Sequence, residues 1–190
     1  MLNRVNMTKE LKKAVFLDRD GTINEDPGYL NDPSQLKLLP QVGEALSLLQ
    51  QAGYLLIVIS NQSGVGRGLI KPETMPLIHQ RLGEFLAPWG VKIDHYELCF
   101  HTPEQHCECR KPKPKLILDA ARLLAIDVTQ SYMVGDKISD LGAGIAAGCK
   151  GSLLVRTGAG EESFTHLKLG QATFVGDSLL NISKWIVEHD

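Results

Sequence analysis

The segments VFLDRDGT and VGDKISD place four aspartates, Asp18, Asp20, Asp136 and Asp140, at the ends of short apolar runs. Side chains two apart on an extended segment point to roughly the same side. Carboxylates packed that closely repel unless a cation lies between them or one holds a proton. Both arrangements serve catalysis. Gly21 would let the chain turn sharply away after Asp20. Two plainer readings compete: Asp and Gly are frequent turn residues, and Asp136 could cap a helix that begins near Ile138. A calcium loop fits less well, because it needs acids at more positions and a helix before them.

A second constellation lies in CFHTPEQHCECRKPKPK, residues 99 to 115, with the pattern Cys99-x-His101-x5-Cys107-x-Cys109. Three thiolates and one imidazole make a closed four-ligand set suited to Zn²⁺, with no open position for water or substrate. Such a metal would hold a shape. His106 is the alternative to His101, which is preferred because its spacing from Cys99 mirrors that of Cys107 and Cys109. Free cysteines and a disulfide are the competing readings, the latter disfavoured where thiols stay reduced. The loop would staple in place the two cations next in the chain, Arg110 and Lys111; a solvated basic run is the plain alternative.

Several apolar runs read as strands that could position these groups: residues 14–18, 54–60, 95–100, 131–136, 151–157 and 172–177. Continuous rather than alternating apolarity points to strands covered on both faces. Helical stripes lie between them: Val42, Ala45, Leu46 and Leu49; then Ile78, Leu82, Phe85, Leu86 and Trp89; then Leu116, Ala120, Leu123 and Leu124 after Pro114. The alternation predicts an α/β fold, a doubly wound and mostly parallel sheet with helices on both faces. Sites gather at the carboxyl ends of strands in such folds, and DRDGTIN, SNQSGVGRG, the cysteine loop and GDKISD all come directly after strands. The glycine runs GVGRG and GAGIAAG are weak as dinucleotide loops. The second reads better as a helix packed closely on the sheet. His79, His95, His166 and His189 have no partner pattern, and Cys149 reads as a small apolar residue.

With 190 residues, one domain over 1–190 is expected, with no room for a large cap domain. A hydrophobic content of 43% and a net charge of −2 argue against general binding to nucleic acid or to an anionic membrane surface. No apolar run reaches the length of a membrane span, and the opening MLNRVNMTKELKK lacks a secretory core. A cytoplasmic monomer is expected. A zinc-stapled nucleic-acid module is the competing class, and it lacks the basic and aromatic stripe such modules carry.

FLDRDGTIN, ISNQSG, CRKPKP and MVGDKISD, in that order, resemble the four motifs of the haloacid dehalogenase superfamily of phosphotransferases. The resemblance implies that Asp18 is the nucleophile and Asp20 the general acid and base. It implies Mg²⁺ held by Asp18, the backbone carbonyl of Asp20 and Asp136, with Asp140 behind them orienting Lys137 or a metal-bound water. Ser60 and the Asn61 amide would hold phosphate oxygens, with Gln62 and Ser63 beside them, and Lys111 would neutralise the transferring group. Within the superfamily the zinc loop resembles two groups, the heptose-bisphosphate phosphatases and the histidinol-phosphate phosphatases. The DPGY segment resembles the former, which implies Asp26, Gly28 and Tyr29 as contacts to a phosphorylated sugar, with Arg110 and Lys137 reaching its remaining polar groups.

Overall fold

The computed structural model describes residues 11–190. Six strands form one sheet in the order β3-β2-β1-β4-β5-β6: β1 Ala14–Leu17, β2 Leu55–Asn61, β3 His95–Cys99, β4 Tyr132–Gly135, β5 Gly151–Val155 and β6 Phe174–Gly176. Every neighbouring pair is parallel, so each connection must cross over, and helices make the crossovers. Five of the six strands lie within the segments expected from their apolar runs, and β2 runs one residue past its segment, to Asn61. β1 ends at Leu17 as a strand, yet the Asp18 N–H still donates to Val134 O at 2.9 Å, so the ladder carries on to the first acid.

The strands are hydrophobic on both sides because both sides are covered. Val15, Leu17, Leu56, Val58 and Val134 face one core, and Ala14, Phe16, Ile57, Ile59 and Met133 face the other. On the first face lie α1 (Val42–Gln51), α3 (Thr74–Leu86) and α7 (Leu179–Glu188), which bury Leu46, Leu49, Ile78, Leu82, Ile182 and Ile186. On the second lie α4 (Lys115–Leu124) and α5 (Ile138–Ala147), with Ile117, Ala120, Ala143 and Ala147. The short helices α2 (Ser63–Gly66) and α6 (Gly160–Thr165) come after β2 and β5. The GAGIAAG run lies in α5 and at its C-terminal cap. A Cβ on Gly144 would overlap Ser152 Oγ and crowd Met133, so glycine lets this helix sit close on the sheet.

Two helical stripes differ from the pattern expected of them. α3 stops at Leu86, and Ala87–Trp89 form a tighter turn around Pro88, which has no N–H to continue the helix. Trp89 therefore leaves the buried stripe and stands 50% exposed, with its ring over Gly43. In α4 the buried face is Leu116, Ile117, Ala120 and Ala121, while Leu123 is 61% exposed. Among the described residues, no helix is long and apolar enough to cross a membrane.

Candidate active site

Four loops leave the carboxyl edge of the sheet and close around a cavity of about 380 Å³. Asp18 and Asp20 come from the turn after β1. Gly21 makes that turn at φ +87°, and a Cβ there would overlap Asp136 Oδ2, so only glycine lets the first acidic loop pass the second. Asp136 comes directly after β4 and is fully buried. Its Oδ2 accepts from the Ala159 N–H at 2.8 Å, and its Oδ1 is buried with no hydrogen-bond partner. Asp136 does not cap α5. Lys137 is the cap, and its backbone N–H donates to Asp140 Oδ2 at 2.9 Å.

Asp18, Asp136 and Asp140 bring carboxylate oxygens within 4.8 Å of one another, all buried. Lys111 is the cation among them. Its Nζ donates to Asp18 Oδ1 at 2.8 Å and to Ile59 O at 2.7 Å, and it lies 2.8 Å from Asp140 Oδ1 as an ion pair. Asp140 therefore orients Lys111 and the Lys137 backbone; it makes no bond to the Lys137 ammonium, which reaches Asp26 Oδ2 at 3.2 Å instead. Burial would strip Lys111 of its proton, but Asp140 and Asp18 outweigh it and hold the pKa above the ordinary lysine range. Burial and then the Asp18 charge push Asp136 up to about 7. Burial likewise leads at Asp140, up to about 6 against the pull of Lys111. An all-oxygen set with an orphaned buried carboxylate oxygen fits a hard divalent cation.

Asp20 is held differently. Arg19 Nε and Nη2 donate to its two oxygens at 3.0 and 2.7 Å, Asn24 Nδ2 to Oδ1 at 2.8 Å and Gln62 Nε2 to Oδ2 at 2.8 Å. Burial raises its pKa, yet the Arg19 charge and these bonds together keep it below the ordinary carboxylate range. Gln62 also donates to Ser60 Oγ at 2.9 Å. Asn61 turns its amide to the backbone of Lys111, accepting from its N–H at 3.1 Å and donating to its carbonyl at 3.2 Å. The side chains of Gln62 and Asn61 thus position Asp20, Ser60 and Lys111, and both residues line the cavity, where the Asn61 backbone amide was expected on phosphate. Ser60, Ser63, Asp26, Gly28, Tyr29, Arg110 and Lys137 line it too.

The second constellation also assembles. Cys99, Cys107 and Cys109 place their sulfurs 3.1 to 3.6 Å apart, with His101 Nδ1 3.6 Å from Cys99 and 3.3 Å from Cys109. Ligand edges of about 3.7 Å are expected of sulfurs on tetrahedral Zn²⁺, so the set fits that ion closely. His106 lies outside the cluster, in a left-handed turn at φ 46°. Burial pushes the Cys99 thiol up to about 12, so a metal must displace its proton. Arg110 Nη1 donates to His101 O at 3.3 Å, tying the loop to the cation just beyond it.

A family model described as HAD-hydrolase-like (Hydrolase_like) matches residues 108–182. The D-glycero-β-D-manno-heptose-1,7-bisphosphate 7-phosphatase of Pasteurella multocida is 40% identical over 182 residues, covering 93% of this chain and 97% of that protein. The enzyme of the same name from Haemophilus ducreyi is 45% identical, covering 92% and 98%. The crystal structure of D,D-heptose 1,7-bisphosphate phosphatase from B. bronchiseptica, complexed with magnesium and phosphate, matches with a TM-score of 0.87 at 34% identity, covering 94% of this chain and 99% of that one. The chain belongs to the heptose-1,7-bisphosphate 7-phosphatase family of haloacid dehalogenase-like hydrolases.

A fifth loop, after β5, also reaches the site of this phosphatase-family chain. Thr157 Oγ1 donates to Gly21 O at 2.6 Å, and the Ala159 N–H holds Asp136. The RTG segment resembles the heptose-bisphosphate phosphatases in sequence, but its residue types do not show that its hydroxyl and backbone hold the first and fourth loops. Ser139 at the cavity wall, and Arg19 and Asn24 around Asp20, are likewise invisible to sequence reasoning. Arginine is so commonly a surface residue that nothing in the pattern DRDG marks Arg19 as buried.

Proposed function

We propose that this chain is a Mg²⁺-dependent phosphatase that removes the C7 phosphate of D-glycero-β-D-manno-heptose 1,7-bisphosphate, leaving heptose 1-phosphate. The observation that carries the reading is that Asp18, Asp20 and Lys111 line one cavity, with Asp136 buried behind them and its carboxylate within 4.8 Å of that of Asp18. The relatives' names and the magnesium and phosphate of the B. bronchiseptica structure support the substrate and the ion. The histidinol-phosphate alternative has no such support among those relatives.

In this reading Asp18 attacks phosphorus in line, forming an aspartyl-phosphate as the bond to the C7 oxygen breaks. Asp20 gives its proton to the departing alkoxide. It then takes one from the water that cleaves the acyl-phosphate bond and frees inorganic phosphate. Arg19 keeps Asp20 anionic at rest, and an incoming phosphate dianion opposes that effect, so proton uptake accompanies substrate binding. Lys111 donates to transferring oxygens, and Ser60 with the Asn61 amide orients them. Mg²⁺ held by Asp18, the Asp20 carbonyl and Asp136 would supply charge that lets an anionic nucleophile approach an anionic phosphate. Arg110, Lys137, Asp26, Gly28, Ser63 and Tyr29 line the cavity and would meet the sugar and its second phosphate. Zn²⁺ in the thiolate cluster would fix the loop that carries Arg110 and Lys111. Since one chain supplies every group, the reading keeps a single-domain cytoplasmic monomer.

Phosphate release with Mg²⁺ from heptose 1,7-bisphosphate and from histidinol phosphate, measured side by side, tests the proposal. A large preference in kcat/KM for the bisphosphate is expected, and Asp18→Asn should abolish release while the fold survives. A preference for histidinol phosphate would overturn the substrate; turnover by Asp18→Asn would overturn the nucleophile.

A further inference from the structure

Arg19 is the largest side chain wholly withdrawn from solvent, between the two acids of the first loop. Its Nε and Nη2 take both oxygens of Asp20 at 3.0 and 2.7 Å, the two-point grip a planar guanidinium makes and an ammonium cannot. Nη2 donates also to Gln62 Oε1 at 3.2 Å. Nη1 meets Met75 Sδ at 3.9 Å, a weak acceptor. A buried ion pair of this kind is weak support for a fold, since apolar groups of similar volume often serve stability as well or better.

What the arrangement does supply is a fixed direction for one carboxyl group. A carboxylate offers about four lone-pair positions. Two are met by Arg19, one by Asn24 and one by Gln62, which fixes the plane of the anionic carboxylate; a proton bound for the leaving group must take the place of the cavity-side Gln62 N–H, while Arg19 keeps the plane. Asp20 and Gln62 border the cavity, while Arg19 grips from behind. The same Gln62 amide reaches Ser60, so the grip ties the Asp20 carboxyl to the hydroxyl expected on phosphate. Proton transfer is lost when donor and acceptor are misplaced by even about 1 Å, and a short side chain at a turn gives no such control unaided.

We propose that Arg19 is a positioning residue that sets the Asp20 carboxyl for proton transfer to the leaving group. The proposal rests on the reading of Asp20 as proton donor. Leaving-group dependence separates positioning from a merely structural role. A sugar alkoxide needs a proton to depart, whereas p-nitrophenolate departs without one. The measurement is the first turnover, enzyme in excess with Mg²⁺ present, on heptose 1,7-bisphosphate and on p-nitrophenyl phosphate. Arg19→Met should slow release of the sugar by about 100-fold, the low end of what general acid catalysis supplies, and release of p-nitrophenolate by no more than roughly threefold. Arg19→Lys keeps the charge without the fork and should show the same asymmetry to a smaller degree. It also decides the matter if the methionine variant does not fold. Equal losses on both substrates would overturn the proposal. Asp20→Asn is the reference: if it too lacks the asymmetry, the reading of Asp20 itself falls, and if it shows the asymmetry while the Arg19 variants do not, only the role of Arg19 falls.

Discussion

Replacing Lys111 by methionine removes the one ammonium that touches Asp18 and Asp140, while keeping the length and volume of the side chain. The pairs are almost dry: side-chain exposure is 2% for Lys111, 7% for Asp18 and 1% for Asp140. Removing one partner of a buried pair costs about 3–5 kcal/mol, because it strands the other charge. Part of that cost disappears if the stranded carboxylates take up protons. Asp136 and Asp140 already stand at about 7 and 6 with Lys111 present, and losing its charge raises Asp140 further. An acid whose folded pKa is raised stabilises the fold below its unfolded pKa, and that contribution is lost as pH rises through the folded one. Lys111→Met should therefore cost most at pH 8 and distinctly less at pH 5. Urea unfolding of both proteins at the two pH values, in Mg²⁺-free buffer without chelator, reads the difference, and added Mg²⁺ should restore part of it at pH 8. A cost under about 1 kcal/mol that is the same at both pH values would refute the reasoning, since it would mean that water already screens the cluster.

The thiolate cluster should hold one Zn²⁺ per chain that survives dialysis; metal analysis of protein purified without chelator checks this, and Cys109→Ser should weaken substrate binding more than it lowers Tm. His79 stacks on Tyr96 at 3.8 Å, and burial, then the Arg19 charge, lowers its pKa to about 4. A histidine kept neutral in the fold contributes stability above its unfolded pKa near 6.5 and loses it as pH falls toward 4. His79→Phe should therefore lose less Tm than the parent between pH 7 and pH 5, and an equal or larger loss would contradict the assignment.

The sheet was legible because both of its faces are covered. A strand buried on two sides has no polar alternation to confuse with anything else, and all six runs became strands. The acids were legible because each stands where such a run stops. What failed was finer. Trp89 and Leu123 carry apolar side chains at helical spacing, but a proline ended one helix early and Leu123 faces solvent at the end of the other, so the pattern overran the burial. Ala159 acts through its N–H, which every residue but proline has, so no residue type could reveal it. The positioning tasks of the Asn61 and Gln62 side chains were not legible either. Their partners, the Lys111 backbone and Asp20, come from loops about 50 and 42 positions away, and only the fold brings them together.

Burial first, and then the neighbouring charges, hold Asp136 and Asp140 above the ordinary carboxylate range. Asp18, Asp136 and Asp140 share one buried space with a single ammonium, that of Lys111, which leaves two negative charges unbalanced. Like charges at this range cannot all persist without a counter-charge, and the raised values at Asp136 and Asp140 are the response of the protein alone. A divalent cation closes the balance, whereas a monovalent ion leaves one charge over. The imbalance thus selects the charge of the ion, and the oxygen donors select its hardness. A phosphate dianion would then meet a centre with no net charge, so its attraction to the cavity must come from cations outside that centre. Lys137 and Arg110, which line the cavity and touch none of the three acids through their side chains, are placed to provide it.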